Sequence, residues 1–322
     1  MTLSSDAPST KKLYFYGGKS FHPSPISLKG TDCIVRPHVP LAPLTSFRVG
    51  GPAEWYIAPR TLEDLQLSVA WAQQQSLPAT VLGAGSNLLV SDRGIPGLVI
   101  STRHLRHNNL HPDNGQIIAG AGEPIARLAW KAAKRGWQGL EWAVGIPGTI
   151  GGCVVMNAGA HQQAIADCLT DVLVLNPDGS LDLLTPEDLQ FSYRTSILQG
   201  DRKLVLQATL QLTPGGDRTE IMAQTTHNLH QRKETQPYHL PSCGSVFRNP
   251  YPHSAGWLIE QLGLKGYQVG GAQVAHRHAN FILNCGDATA SDILNVIHHV
   301  QEKVEQHWSL LLHPEVKLMG DF

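Results

Sequence analysis

No CxxC pair occurs among the five cysteines, Cys33, Cys153, Cys168, Cys243 and Cys285, and no two of them lie closer than 15 residues. A zinc knuckle and a thioredoxin-like redox pair are thereby excluded, and an odd count argues against a disulfide framework. The expectation is a chain kept in a reducing cytoplasm. An excess of charge is missing too: 25 Lys and Arg stand against 26 Asp and Glu, a net charge of −1. Nucleic acid and anionic membranes both call for a basic footprint, so neither is expected as a partner. The opening MTLSSDAPSTKK contains no apolar core of a signal peptide. One run, Trp142 to Ala160, is 19 residues without a charge, nominally enough to cross a bilayer. Its five glycines and Pro147 make it a poor helix former, so it reads as buried loop and strand.

Several chemical motifs are also absent. There is no GxxxxGK[ST], which removes phosphoryl transfer through a P-loop. Gly83-Ala84-Gly85 follows an apolar run, but Leu88 stands where a dinucleotide fingerprint needs its third glycine. Leu88-Leu89-Val90 then reads as strand rather than as the helix that would hold a pyrophosphate. Neither His276-Arg277-His278 nor His298-His299 has the i, i+4 spacing with a carboxylate of a helical zinc site, and no metal is expected.

What is present is glycine and proline, 31 and 21 residues, in a chain whose 42% hydrophobic and 16% charged content is that of a globular protein. Residues 1–40, with an aromatic cluster at Tyr14, Phe15 and Tyr16, read as an extension, a tail or an arm laid over the body. Thr61 and Asp64 form a capping box that opens a helix through Gln75. Strands are expected at 79–82, 97–101 and 116–120, and a helix from Pro124 to Arg135 stopped by Gly136. Asp178-Gly179 predicts a hairpin over 169–184. A short helix at Thr185 and a strand at 203–212 follow, and Pro214-Gly215-Gly216 marks a domain boundary. Beyond it the pattern predicts helices at 218–233, 254–262 and 290–308, and strands at 278–284 and 315–319. The class is α+β, without steady βαβ alternation.

Two glycine loops carry the chemistry. Gly83-Ala84-Gly85-Ser86-Asn87 can turn successive N–H groups toward an anion, though it can equally be a plain tight turn. Gly145-Ile146-Pro147-Gly148-Thr149-Ile150-Gly151-Gly152 is harder to read as a simple connection, because four glycines in eight residues carry a large entropic cost on folding. Together they point to one large cofactor held by backbone.

These loops belong to an ordered series. Thr45-Ser46-Phe47-Arg48-Val49-Gly50-Gly51, Val81 to Val90 and Gly145 to Gly152 come first. Then follow Met156-Asn157-Ala158-Gly159-Ala160, Tyr193-Arg194-Thr195-Ser196, Gly244-Ser245-Val246-Phe247-Arg248-Asn249-Pro250, His278-Ala279-Asn280-Phe281-Ile282 and Glu315-Val316. From about residue 41 to 320 the chain resembles the UDP-N-acetylenolpyruvoylglucosamine reductase family. The resemblance implies an FAD-binding fold of the vanillyl-alcohol-oxidase type over 41–213, in subdomains of about 41–105 and 106–213. A substrate-binding α+β domain would follow over 214–322. It implies non-covalent FAD, NADPH as co-substrate, a UDP-sugar substrate and a monomer. The implied cofactor contacts are Arg48, Gly83, Ala84, Gly85, Ser86, Asn87, Leu88, Gly145, Ile146, Pro147, Gly148, Thr149, Gly151, Gly152 and Ala158.

The implied reaction reduces an enolpyruvyl ether to a lactyl ether, with hydride passing from NADPH through the flavin to the terminal vinyl carbon. The other carbon becomes enolate-like, which calls for positive charge at the carboxylate and a proton donor at the carbon. The resemblance gives these tasks to Arg194, to Ser245 and to Glu315, protonated and assisting Arg194. Read from the residues alone, Arg194 is equally a surface arginine, Ser245 a turn serine and Glu315 a solvated strand-start glutamate. Around Ser245 the GxSxG elbow of a hydrolase is missing. Substrate contacts are expected from Tyr193, Arg232, Asn249, Lys265 and His278.

The chain departs from the family pattern in having Arg248 where lysine is commoner. The 50 residues between Arg194 and Gly244, and the 70 between Ser245 and Glu315, resemble the shorter type, which lacks a tyrosine loop over the substrate. Two other readings remain: a flavin oxidase of the same cofactor fold, with Cys153 near the site of covalent attachment, and a nucleotide-sugar binding protein without catalysis.

Overall fold

The computed structural model describes residues 24–322. The first unit contains β1 (Ile26–Ser27), β2 (Ile34–Pro40), β3 (Pro52–Ile57), α1 (Leu62–Gln74), β4 (Ala79–Leu82), β5 (Leu88–Val90) and β6 (Ile95–Ser101). Its sheet has the order β1-β2-β3-β6-β4, with β3 and β4 both parallel to β6. Helix α1 opens as its sequence predicts: Asp64 N–H donates to Thr61 Oγ1 at 3.1 Å while Asp64 Oδ2 accepts from Thr61 N–H. Its Leu65 and Val69 pack on Leu98 and Ile100 of β6. The extension expected over 1–40 ends inside this sheet. β2 pairs with β3 and buries Val35 completely, so the chain joins the body before residue 41. Tyr14, Phe15 and Tyr16 lie outside the described residues.

The second unit contains β7 (Asn108–His111), β8 (Gln116–Gly120), α2 (Ile125–Ala133), α3 (Ile150–Met156), β9 (Gly159–Ala160), β10 (Gln163–Ala164), β11 (Leu169–Leu175), β12 (Leu181–Leu184), α4 (Pro186–Leu189) and β13 (Leu204–Gln211). The antiparallel order is β12-β11-β13-β8-β7. β13 lies at the centre and is buried on both faces. One face packs under α2 and α3 with Ile125, Leu128 and Val154; the other sends Leu204 and Leu206 to meet α1 of the first unit.

The run 142–160 is only in part loop and strand. Glu141–Gly145 is a 3-10 turn and α3 occupies Ile150–Met156, so Cys153 is helical rather than at a strand start. A helical glycine costs about 1 kcal/mol relative to alanine. Burying Ile150 and Val154 returns about 1.5–3 kcal/mol each, so packing wins over propensity. Gly151 lets the helix pack close, because a Cβ on it would lie 3.0 Å from Ala121 Cβ and would require that residue to give way.

The third unit contains α5 (Arg218–Thr235), α6 (Ala255–Gln261), β14 (Gln268–Val269), β15 (Ala272–Val274), β16 (Ile282–Asn284), α7 (Ala290–Trp308) and β17 (Lys317–Met319). The strand expected over 278–284 is cut to Ile282–Asn284, because His278–Phe281 closes as a turn with Phe281 N–H on His278 O. β17 runs back to pair in parallel with β5. Phe47, Val49 and Leu89 are buried in one core with Leu258, Ile293 and Val300. Asp92 accepts from the N–H groups of Ala290 and Ser291, capping α7 from the first unit. The third unit is therefore bound to the first through a strand pair, a shared core and a helix cap.

Candidate active site

All three units line one cavity of about 1220 Å³, larger than the roughly 300–1,000 Å³ of a typical single small-molecule pocket. The two glycine loops face each other in its wall. A Cβ on Gly83 would lie 3.1 Å from Thr149 Oγ1, and one on Gly148 would lie 3.6 Å from Ser86 Oγ. Arg103 braces the first loop from outside: its Nε donates to Gly83 O at 3.0 Å and its Nη2 to Ala84 O at 2.9 Å. Gly85 has φ +69°, and a Cβ there would meet Leu44 O at 2.2 Å, so the Thr45–Gly51 segment behind the loop also demands glycine. Thr149 Oγ1 is buried and finds no hydrogen-bond partner in the chain. An orphaned hydroxyl beside two glycine-lined turns fits the polar atoms of a dinucleotide such as FAD.

Of the fifteen residues expected at the cofactor, thirteen line this cavity. Arg48 does not; it is exposed at φ +58° on the turn that follows Thr45. Gly145 does not either. Its missing side chain makes room for the Arg232 stem, since a Cβ would lie 2.3 Å from Arg232 Cδ. Asn87 lines the cavity, yet its amide Nδ2 donates to Glu315 O at 3.1 Å and so joins cofactor loop to reaction end.

At that end Arg194 and Glu315 meet from two separate segments, and Ser245, from a third, lines the same cavity. Ser192 and Thr195 exchange backbone hydrogen bonds around a tight turn, and Asn157, the left-handed cap of α3, donates from Nδ2 to Ser192 O at 2.9 Å. Arg194 at the turn has φ +57°, a conformation costing a non-glycine residue about 1–2 kcal/mol. Its Nε donates to Glu315 Oε1 at 3.1 Å and its Nη2 to Gly159 O at 2.6 Å. Glu315 is tied to the serine segment by its N–H on Val246 O at 2.7 Å. Buried Asn280 clamps Phe247 on both sides, accepting from its N–H and donating to its carbonyl. The His278–Ile282 motif thus holds the Ser245 loop in place.

Burial raises the Glu315 carboxyl above its ordinary value, and this outweighs the opposing pull of Arg194, Arg248 and Lys317. A carboxyl held up in this way beside a guanidinium is suited to giving or keeping a proton.

Tyr193, Arg232 and Asn249 line the cavity; Lys265 and His278 do not. Lys265 pairs with Glu260 on the protein surface. His278 is pushed toward its neutral form, mainly by burial, and its Nδ1 accepts from Asn280 N–H, so it serves the turn. Arg232 donates from Nε to Tyr238 Oη at 3.1 Å. Sequence reasoning missed Arg103, Gln199 and Lys317, which act through backbone carbonyls or side-chain amides and carry no local motif.

Among the described residues, no group of His, Cys, Asp or Glu side chains is arranged to hold a metal, all five cysteines are free, and no helix is long and apolar enough to cross a membrane.

Comparison with known proteins agrees with this anatomy. The FAD binding domain family matches residues 53–183, and the C-terminal domain family of UDP-N-acetylenolpyruvoylglucosamine reductase matches residues 236–319. The UDP-N-acetylenolpyruvoylglucosamine reductase of Trichormus variabilis is 60% identical over 297 residues, 92% of this chain and 90% of the relative. That of Synechocystis sp. is 61% identical over 300 residues, 92% of this chain and 94% of the relative. The crystal structure of the Thermus caldophilus enzyme superposes with a TM-score of 0.76 at 37% identity, covering 88% of this chain and 98% of that one. By identity sustained across nearly its whole length, the chain belongs to the UDP-N-acetylenolpyruvoylglucosamine reductase family.

Proposed function

We propose that the chain reduces UDP-N-acetyl-3-O-(1-carboxyvinyl)glucosamine to UDP-N-acetylmuramate with NADPH, through non-covalent FAD, in the making of peptidoglycan precursors. We read it as a cytoplasmic monomer. The observation that carries the reading is the convergence of Arg194, Ser245 and Glu315 on the cavity that the glycine loops enclose. Held there, FAD supplies hydride storage between NADPH and the vinyl carbon of the substrate.

The chain's own part is positioning and charge. Loops 83–88 and 146–152 grip the cofactor through backbone, with Thr149 Oγ1 the free polar atom between them. Arg194 binds the enolpyruvyl carboxylate and stabilises the negative charge that grows on it as the double bond is reduced. Ser245 gives its proton to the enolate-like carbon. A hydroxyl is a weak acid, but a carbanionic carbon is basic enough to take its proton when the two are held in contact. Glu315, whose carboxyl burial raises above its ordinary value, shares the polarising task with Arg194. Tyr193, Arg232 and Asn249 line the remaining wall toward the UDP-sugar. Cys153 is no candidate for a flavin linkage, because burial pushes its thiol up to about 12 and keeps it from the reactive thiolate form.

The test is anaerobic. Flavin reduced by NADPH is mixed with the enolpyruvyl substrate, and return of the oxidised spectrum without oxygen is the expected result. A flavin that stays reduced until air is admitted would favour the oxidase reading. Denaturation should release the flavin into solution.

A further inference from the structure

The structure assigns to Gln199 a positioning role: with Lys317 it forms a second bridge between the segments that carry Arg194 and Glu315. This inference rests on the reading of Arg194 and Glu315 given above, and it concerns residues that no motif singled out.

The geometry is a three-way junction on one amide. Gln199 Nε2 donates to Arg194 O at 2.8 Å and to Val155 O at 3.1 Å. Its Oε1 accepts from Lys317 Nζ at 2.6 Å. Val155 lies in the last turn of α3, where carbonyls have no partner within the helix. Lys317 opens β17, two residues after Glu315, and is fixed by its own N–H on Asn87 O at 3.0 Å. One half-buried side chain therefore links the Arg194 turn, the end of α3 and the strand that begins two residues after Glu315.

The Arg194 backbone needs such a link. At φ +57° it holds a conformation unfavourable for arginine, and such conformations persist where surrounding contacts over-determine them. Its carbonyl is held by Gln199 and, at 3.4 Å, by Arg248 Nη2. Without the nearer donor the Arg194 carbonyl keeps only the longer Arg248 contact, so this residue of the turn can shift and carry the guanidinium with it.

The bridge also answers a conflict in the reaction. In the free protein Arg194 is paired with Glu315 at 3.1 Å. A substrate carboxylate that takes the guanidinium must loosen that pair, and with it a direct tie between the two segments. The Gln199–Lys317 bond runs parallel to it, joins the same segments, and involves no group that the reaction changes. It keeps Arg194 and Glu315 in register while their own contact is exchanged for the substrate. Both bridge residues line the cavity wall; Gln199 carries no charge, whereas the Lys317 charge also opposes the rise of the Glu315 carboxyl, so Gln199→Leu is the cleaner probe of the bridge.

Three variants test this in the FAD-loaded protein: Gln199→Leu, Lys317→Met, and the exchange Gln199→Lys with Lys317→Gln, in which a lysine amine can still donate to Arg194 O and to a glutamine oxygen. In Gln199→Leu, oxidation of the reduced flavin by substrate should slow about 100-fold, the effect of a misplaced catalytic group. Reduction by NADPH should stay within about twofold and the unfolding midpoint within about 1.5 °C, a shift worth about 1 kcal/mol for a chain of this length. Lys317→Met should show the same split at smaller size, and the exchange should recover most of the lost rate. Equal slowing of both half-reactions, an unchanged substrate step, or an exchange no better than Gln199→Leu would overturn the inference. Arg194→Ala, run beside them, separates the two levels. If it leaves the substrate step intact, the reading of Arg194 fails and this inference with it; if it slows that step and Gln199→Leu does not, only the bridge is refuted.

Discussion

The two ends of the cavity are built on opposite principles. The cofactor end is made of backbone from two contiguous runs, 83–88 and 146–152, whose glycines let main chain approach main chain. The reaction end is made of side chains from three distant segments, brought together by β17 pairing with β5 and by the Asn280 clamp. A cofactor that stays bound can be held by many weak contacts, each replaceable. A transition state needs a few charges in fixed places, and each depends on supports far away in sequence.

Substitutions at each end separate the two principles. Ser245→Ala should have the largest effect, slowing reoxidation by substrate about 1,000-fold, within the range for loss of a general acid. Arg194→Met should slow the same step about 100-fold, as loss of one electrostatic stabiliser does. At the other end Gly83→Val should weaken FAD retention about tenfold by crowding Thr149, seen as flavin lost on dialysis, with near-parent rates once FAD is supplied in excess.

The smallest effect is a change of pH dependence. The Glu315 carboxyl is raised by burial, so the protonated form is favoured in the folded chain and is lost as pH rises through that elevated value. The rate of the substrate step should therefore fall on the alkaline side, and Glu315→Gln should flatten that limb at a few-fold lower plateau. The stability linked to this proton follows the same sign. It is present below the ordinary glutamate range and fades as pH climbs through the raised value, a fade that the variant should lack.

How much of this was legible before the fold was seen follows the same division. The loops 83–88 and 146–152 are local patterns and were readable, as were the Thr61 and Thr185 helix starts, since capping chemistry lies within four residues. Gly145 was readable as special but for the wrong partner: its neighbour is the Arg232 stem, more than eighty positions away in sequence. The helix α3 was hidden because glycine argues against helices unless a tertiary contact, here Ala121, demands it. Lys265 and His278 have the right chemistry for a diphosphate but the wrong surroundings, and burial cannot be read from residue type. Gln199 and Lys317 bear no motif at all; only the return of β17 to β5 places them side by side.

The two ends therefore divide the work: the backbone cradle retains FAD, and the side-chain centre governs the oxidation of reduced flavin by substrate. The most direct test of this division is sequential-mixing spectroscopy under anaerobic conditions, with FAD-saturated Ser245→Ala and Gly83→Val compared to the parent. Ser245→Ala is expected to keep its rate of reduction by NADPH and lose only oxidation by substrate, while saturated Gly83→Val keeps both. If either variant loses the two rates in equal proportion, the division between a backbone cradle and a side-chain reaction centre is wrong.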